Sequence, residues 1–332
     1  MTIVDKDTWR DGKRIELTGG SIKRSLNDLR HSADLDAVNF TESGEPLIRV
    51  WLDASQGNAT DHTPLFTGYA TTPGRKINGK LVTNSLQCYS VLKPAADVLL
   101  PRGWYAPVEM NIINQIKQLL KVTKAPVKIL GDTSDITKLK LKWAVVAEAN
   151  ETNLSMTELL LSSINWRMTL GGDGTIYLDD MASVPMAAFD SIRHDILEPS
   201  LSDDYDWFNC PNVFRAVMDD SYALAKDEDK DSPFSIQNRG REIWYEETSC
   251  NLNANETLSE YARRRLKELQ RVSRVINYDR RFDPAVTVSD VVMLNYPAQD
   301  IVGDFVVTSQ SISLGFGAKT SEEVMRNYGN GS

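Results

Sequence analysis

The sequence predicts an α+β chain that is mainly β: two antiparallel β-barrel units, a small α/β insertion between them, and one long helix in the second half. Three observations carry this. Short apolar–polar alternations punctuated by Gly, Asn, Asp and Pro recur over residues 1–105 and again after about 183, as half-buried strands joined by turns do. Between these regions Ile112, Ile113, Ile116, Leu119 and Leu120 recur at helical spacing. Near the end come Val286 and Val288, then Ile301, Phe305 and Val307, and finally Gln310, Ile312 and Leu314 alternating with Ser309, Ser311 and Ser313. A length of 332 residues suits two or three domains. The expected division is a first β unit at 1–105, the insertion at 106–182, a second β unit at 183–318 and a C-terminal tail at 319–332.

In chain order, Lys13 to Ile22 reads as a strand broken at Gly19-Gly20. Ile22, Leu26 and Leu29 point inward, and Ala33, Leu35 and Ala37 alternate with Asp34, Asp36 and Val38. Pro46–Leu52, Leu65–Ala70 and Leu81–Leu92 are strands; turns fall at Ser43-Gly44, Gln56-Gly57-Asn58, Pro73-Gly74 and Asn78-Gly79. Pro107 opens the first helix, because a missing N–H costs nothing in a first turn. Val127–Leu130 and Leu139–Ala147, around Trp143, are strands. Ser155–Ser163 is a helix with Ser155 as cap, Glu158 completing a capping box, and Leu159, Leu160 and Ile164 as its apolar face. Trp166–Leu170 and Thr175–Leu178 form a hairpin about Gly171–Gly174.

Beyond it, Val213–Val217 and Tyr222–Ala225 flank a turn at Asp219-Asp220-Ser221, Lys226–Asp231 is a charged loop, and Glu242–Glu246 is a strand. Thr257–Val275 is the clearest helix. Thr257 and Glu260 make a capping box. Leu258, Ala262, Leu266, Leu269 and Val272 form its stripe, with Arg263, Arg264, Arg265, Lys267 and Arg271 around the rest. That stripe, and the interleaved Glu260 and Glu268, suit a packing helix that anchors the second β unit rather than a nucleic-acid helix.

Composition argues against several functions. The net charge is −9, whereas tight phosphate-backbone binding needs clustered cations. Cys88, Cys210 and Cys250 are widely spaced with no CxxC pair, so neither a zinc ribbon nor a disulfide framework is expected. The first residues lack the apolar core of a secretory signal, and no run approaches the roughly 18 to 20 apolar residues of a membrane span. His31, His62 and His194 stand at no paired ligand spacing, and no nucleophile elbow, Walker loop or dinucleotide fingerprint occurs. Gly171–Gly174 lies between strands, so it reads as a tight turn, not a phosphate cradle. Asp203, Asp204 and Asp206, Asp219 and Asp220, and Asp227 to Asp231 read as solvated loops, the last without EF-hand spacing. No catalytic, cofactor-binding or metal-ligating residue is therefore assigned, and no cofactor is expected. Two competing functions remain: a cell-wall (peptidoglycan) hydrolase using an Asp/Glu pair, and a carbohydrate-binding β module using Trp104, Trp166, Trp207 and Trp244 as stacking platforms, though such residues more often pack in cores.

Four stretches carry a family resemblance when taken in order: Gly20–Asp28 with Ala33–Leu35; Leu65–Tyr69; Leu159–Leu178 with Trp166 and the Gly-rich hairpin; and Val302–Val324, in which a Gly303-Asp304 turn leads into SQSISLGFGAKTSEEV. Together they resemble the baseplate hub proteins of phage tails and tail-like particles, the T-even hub-like family. The resemblance implies two tail-tube-like β-barrels per chain and a homotrimer that forms a pseudo-sixfold ring. It implies a structural, non-enzymatic role joining the tail tube protein to the central spike protein, beside other baseplate proteins and the tape measure protein. DNA or effector is then only cargo through the channel; the net charge of −9, not the resemblance, suggests that the lumen is acidic and repels phosphates. The implied location is the virion tail baseplate, without membrane insertion, after synthesis in the host bacterial cytoplasm and release by lysis. Compared with some relatives of that family, the chain is expected to lack a C-terminal peptidase, lysozyme or fibre extension.

Overall fold

The fold is that of a computed structural model, which describes residues 1–326 apart from 27–28, 57–58, 72–73, 79–80, 131–135, 142–143, 165, 181–184, 191–192, 194, 198–199, 206–207, 219–220, 249, 251, 253–255, 272–273, 316 and 318. Trp143, His194, Asp206, Trp207, Asp219, Asp220 and Val272 thus lie outside the described residues, as do Gly57-Asn58, Pro73 and Gly79 of the expected turns.

The first β region comprises β1 (Thr2–Val4), β2 (Asp11–Arg14), β3 (Leu17–Ser25), β4 (His31–Val38), β5 (Leu47–Gln56), β6 (Ala59–Ala70), β7 (Gly74–Asn78) and β8 (Leu81–Ser90). The middle holds α1 (Lys93–Asp97), β9 (Tyr105–Ala106), α2 (Ile112–Leu120), β10 (Val127–Ile129), β11 (Val145–Val146), α3 (Asn153–Ser162), β12 (Trp166–Leu170) and β13 (Ile176–Asp180). The last part holds β14 (Pro185–Asp190), β15 (Ser202–Tyr205), β16 (Val213–Met218), β17 (Ser221–Lys226), α4 (Ile236–Arg239), β18 (Trp244–Glu247), α5 (Leu258–Arg271), β19 (Arg274–Arg281), β20 (Val291–Tyr296), β21 (Ile301–Leu314) and β22 (Lys319–Arg326).

The chain is mainly β with a minority of helix, as expected, but its β regions do not close into two barrels. One 14-stranded sheet runs β15-β19-β22-β21-β3-β4-β8-β6-β5-β1-β2, with β7 on β8 and β14-β20 branching from β21. Among the described residues the two ends of this order do not pair. The join is β21, which is 14 residues long. Its first half pairs with β20, its second half with β3, and β22 lies along its other side.

A bulge lets one strand serve two cores. Ile301, Phe305 and Val307 are buried at odd positions, and Thr308, Gln310 and Ile312 at even ones. The phase changes where the register against β22 slips between Val307 and Ser309, since one extra residue re-aims every later side chain. Phe305 and Val307 therefore pack with Ile276, Leu294 and Val324, while Ile312 packs with Ile22, Leu35, Phe66 and Leu86.

Other differences are local. Gly19-Gly20 does not break β3. A bulge falls there, and Gly20, at φ +134°, comes so close to β4 that a Cβ would lie 2.3 Å from the Asp34 carbonyl oxygen. Pro107 lies before α2, whose cap is Asn111: its side chain accepts from Asn114 N–H. In α3 the cap is Thr152, with Ser155 as its reciprocal partner. Of the expected strand Leu139–Ala147, only Val145–Val146 forms a strand, β11, among the described residues. Val286 and Val288 are buried outside any strand. Gly303-Asp304 sits inside β21, paired with Leu294 and Met293, and the turn is at 297–300 instead. Val275 belongs to β19, not to the long helix. Residues 319–326, expected in the tail, form β22 between β19 and β21.

The long helix also anchors something other than expected. Tyr205 and Arg274 are register partners in neighbouring strands β15 and β19, so residues 206–273 leave the main sheet and return to it. This excursion builds its own three-stranded sheet, β17-β16-β18. Helix α5 covers one face, packing Tyr261, Ala262 and Leu266 on Phe214, Ala216, Ala223 and Ala225. The expected Thr257–Glu260 capping box is present: Glu260 N–H donates to Thr257 Oγ1, and Thr257 N–H to Glu260 Oε2.

Candidate functional site

Beneath the join of β3, β21 and β22 lies a buried polar chain. Arg24 Nη1 donates to Gln310 Oε1 (3.0 Å) and Nη2 to the Leu65 carbonyl oxygen (2.8 Å). Gln310 Nε2 donates to Glu322 Oε1 (2.7 Å) and to the Val286 carbonyl oxygen (3.1 Å). Arg280 grips Glu322 with both Nε (2.8 Å) and Nη2 (2.6 Å), and the Glu322 side chain is 0% exposed. Burial lowers the Arg24 pKa to about 10, against the opposing pull of Asp290 and Glu322. For Arg280 burial also opposes the charge, but the bonds to Glu322 win and its pKa is raised. Tyr278 is raised well above its ordinary value, by burial first and by the Glu322 charge second. Buried ions of this kind persist only when paired and hydrogen-bonded.

The opposite face of the same strands is wet. The registers align Ser309 with Ser25 and Glu323, Ser311 with Lys23 and Ser321, and Ser313 with Ser21. They continue to Ser32, Asp34 and Asp36 on β4 and to Ser85 and Gln87 on β8. Side chains of this face are short and polar, and large apolar groups are few. Its acids, Asp34, Asp36, Asp279 and Glu323, slightly outnumber Lys23, Lys319 and Arg281. Lys319 and Ser321 both bond to Asp279 and lower its pKa, Lys319 most.

The middle region is tied to both β regions. Thr67 Oγ1 donates to the Gly172 carbonyl oxygen (2.8 Å) and Arg49 Nη2 to that of Asp173 (3.2 Å). A Cβ on Gly172 would meet the Pro64 carbonyl oxygen at 1.9 Å. The Gly-rich turn is thus a hairpin pressed against β6, with its carbonyls engaged. Arg167 holds Asp179 through Nε (2.9 Å) and Nη2 (3.0 Å) and donates to the Ser289 carbonyl oxygen (2.6 Å).

The residues weighed for chemistry scatter. His31 is buried on β4, whereas His62 stacks on Trp51 with ring centroids 4.0 Å apart and contacts Asp53. Asp203 is engaged by Arg274, with Nε to Oδ1 at 3.1 Å and Nη2 to Oδ2 at 2.9 Å. Asp227 accepts from Ser232 Oγ (2.6 Å) and Gln270 Nε2 (2.9 Å), as a loop staple does. Trp104 and Trp166 pack against the middle core, while Trp244 is exposed. Cys88 and Cys210 are buried, Cys250 half-buried, and burial pushes the Cys88 thiol up to about 12. Among the described residues no group of three or more His, Cys, Asp or Glu is arranged to hold a metal, and no helix is long and apolar enough to cross a membrane. Sequence reasoning missed the Arg24–Gln310–Glu322–Arg280 chain. Its only sequence signal was Gln310 standing at an inward position among apolar residues.

No family model and no curated protein matches the sequence; solved structures do match the fold. The 43 kDa tail protein of prophage MuSo2 from Shewanella oneidensis superposes with a TM-score of 0.69 at 13% identity, covering 94% of this chain and 93% of that one. A tail protein from Neisseria meningitidis gives 0.71 at 14% identity, covering 98% and 96%. The E. coli c3393 protein, a type VI secretion component described as similar to the T4 tail proteins gp27 and gp5, gives 0.54 at 8% identity, covering 95% and 74%. The chain has the fold of these tail proteins. In it the seam strands β3, β21 and β22 lie inside the main sheet, with the buried polar chain on one side and the serine-rich face on the other.

Proposed function

We propose that this chain is a structural baseplate hub of a phage tail or tail-like particle. Three copies close a pseudo-sixfold ring between tail tube and central spike, and the serine-rich face of β3, β4, β8, β21 and β22 lines the passage. The observation that carries the reading is likeness to tail proteins over nearly the whole chain, together with that wet face. Short hydroxyls with a slight excess of carboxylate offer a passing polyanion few cations to bind. The charge of −9 is thus only weakly expressed on this face, and slipperiness comes from small neutral side chains as much as from repulsion. The chain is made in the host cytoplasm and resides in the virion baseplate, in contact with tube, spike and tape measure proteins; DNA or effector passes as cargo.

The role is structural, not catalytic. Two of the acids weighed for hydrolysis are engaged in structural bonds, Asp203 with Arg274 and Asp227 with Ser232 and Gln270. Peptidoglycan clearing by the purified chain, lost on replacing one Asp or Glu, would contradict this. Mass measurement at micromolar concentration, alone and with tail extract, tests the assembly. A trimer in either condition is expected, and a stable dimer or hexamer overturns the hub reading.

A further inference from the structure

We infer that residues 282–290 form a strap that can lift from the seam, and that Arg167 of the middle region is the latch that holds it down. The strap joins β19 to β20 and belongs to neither. It touches both cores: Phe282 packs against the core of Ile22 and Phe66, and Val286 and Val288 are buried in that of Phe305 and Val307. It also closes the buried polar chain. The Val286 carbonyl oxygen accepts from Gln310 Nε2 (3.1 Å), and Thr287 Oγ1 from Arg24 Nη1 (3.4 Å). Among the described residues, its backbone-to-backbone hydrogen bonds with the rest of the chain are confined to one end. There Ser289 N–H donates to the Val307 carbonyl oxygen (2.8 Å), and Val307 N–H to that of Asp290 (2.9 Å). The others, from Val286 N–H to Asp283 and from Asp290 N–H to Thr287, stay within the strap. A segment tied so sparsely by its own backbone opens more easily than the strands on either side of it.

The tied end carries strain. Ser289 is buried and sits at φ +81°, a left-handed conformation that residues with a Cβ rarely adopt. Such strain persists only where the surroundings impose it, and it gathers in switch regions. Here the middle region imposes it. Arg167 Nη1 donates to the Ser289 carbonyl oxygen (2.6 Å) and to the Ser289 hydroxyl. The guanidinium is aimed by Asp179, its register partner across β12 and β13, through Nε (2.9 Å) and Nη2 (3.0 Å). The hairpin of β12 and β13 is in turn pressed on β6 at Gly172. When Arg167 lets go, Ser289 relaxes, the strap lifts, and Gln310 and Arg24 lose their acceptors on Val286 and Thr287. The middle region thereby sets how firmly the two β regions are joined. This device works within one chain, so it stands or falls apart from the trimeric reading above.

The test is hydrogen exchange on the full chain, followed in peptides that cover residues 285–290, the β12–β13 hairpin and β3. Arg167→Lys keeps the charge but loses the planar fork. It should speed exchange at 285–290 about tenfold or more, the worth of one charge-assisted hydrogen bond, and leave the hairpin and β3 as in the wild type. Ser289→Gly removes the strain, because glycine adopts positive φ freely. Added to Arg167→Lys, it should slow exchange of the strap back toward the wild-type rate. Should Arg167→Lys fail to fold, Asp179→Asn takes its place; it leaves the guanidinium without its aim and should speed the strap alone. A wild-type rate at 285–290 in the latch variant overturns the inference. Equal acceleration in all three peptides does so too, since Arg167 would then be one structural contact among many. If the double variant exchanges as fast as the latch variant or faster, strain at Ser289 is not what lifts the strap, and the latch falls with it.

Discussion

The seam and the excursion that carries α5 use the same chemistry, arginine against glutamate, at different depths. At the seam Glu322 is wholly enclosed and meets Arg280 and Gln310. On α5, Arg264 holds Glu256 and Glu268 and Arg265 holds Glu247 and Glu268, with the arginines about a third exposed. The deep network therefore behaves as a unit whose members cannot be removed singly, and the shallow one as a set of small, screened contributions. Depth, more than the number of ion pairs, decides what each region tolerates.

The largest expected effect is at the seam. Glu322→Ala leaves Arg280 and Gln310 buried without their acceptor, and breaking a buried pair costs about 3–5 kcal/mol. A urea melt should show the loss across the whole cooperative transition, because β21 belongs to both cores. A loss confined to one part of the transition would mean that the two β regions are not joined energetically through this strand. Next comes the apolar stripe of α5. Leu266 is buried against the three-stranded sheet, and Leu266→Ala should cost about 2–5 kcal/mol. Because the excursion leaves and re-enters between paired strands, hydrogen exchange should show residues 208–271 opening while β3 and β21 stay protected. Equal opening of both would erase the contrast.

A smaller effect comes from His31, buried beside the seam with no hydrogen-bond partner at Nδ1 among the described residues. Burial, then the charges of Arg24 and Arg30, hold its pKa well below the usual histidine value. A group depressed in the folded state contributes stability above its unfolded pKa, near about 6.5, and loses it as pH falls below that. One proton allows at most about 1.4 kcal/mol per pH unit. The lowered carboxylates Asp5, Glu242, Glu260 and Asp279 act in the same direction but only below about pH 5. Melting temperature should therefore drop between pH 7 and pH 5.5 in the wild type and far less in His31→Gln; matching drops would assign the effect elsewhere.

What the sequence made legible follows from locality. Alternation along Ala33–Ala37 and Ile301–Val307, the helical stripe of α2 and the Thr257–Glu260 cap are set by residues within a few positions of one another, and the structure has them. The pairing of β21 with β3 joins residues almost 290 apart (Gln310 with Arg24), and no local period encodes it, so two barrels were expected where one sheet runs on. The bulge at Thr308 was hidden for a related reason: alternation continues on both sides, and only the change of phase betrays it. The seam network was invisible because Arg24, Arg280 and Glu322 each look like ordinary surface charges until the fold encloses them.

The smallest effect tests the shallow side of the comparison. From sequence Arg264 belongs to a free outer face, and its loss should cost well under about 1 kcal/mol. In the structure its Nε and Nη2 meet the two oxygens of Glu256 at 2.7 and 3.0 Å, Nη1 meets Glu268 at 2.8 Å, and its guanidinium lies over the Tyr261 ring. A bidentate, ring-backed pair holds its geometry better than a lone surface pair, and the Glu256 side chain is nearly covered. Arg264→Ala should accordingly cost about 1 kcal/mol, at the top of the range for partly exposed pairs, and the cost should shrink in high salt. Arg263→Ala, on an exposed position of the same helix, is the control and should cost close to nothing. If Arg264→Ala matches Leu266→Ala in a denaturant melt, the charged side of α5 is as structural as its apolar stripe, and depth is not what separates the two networks.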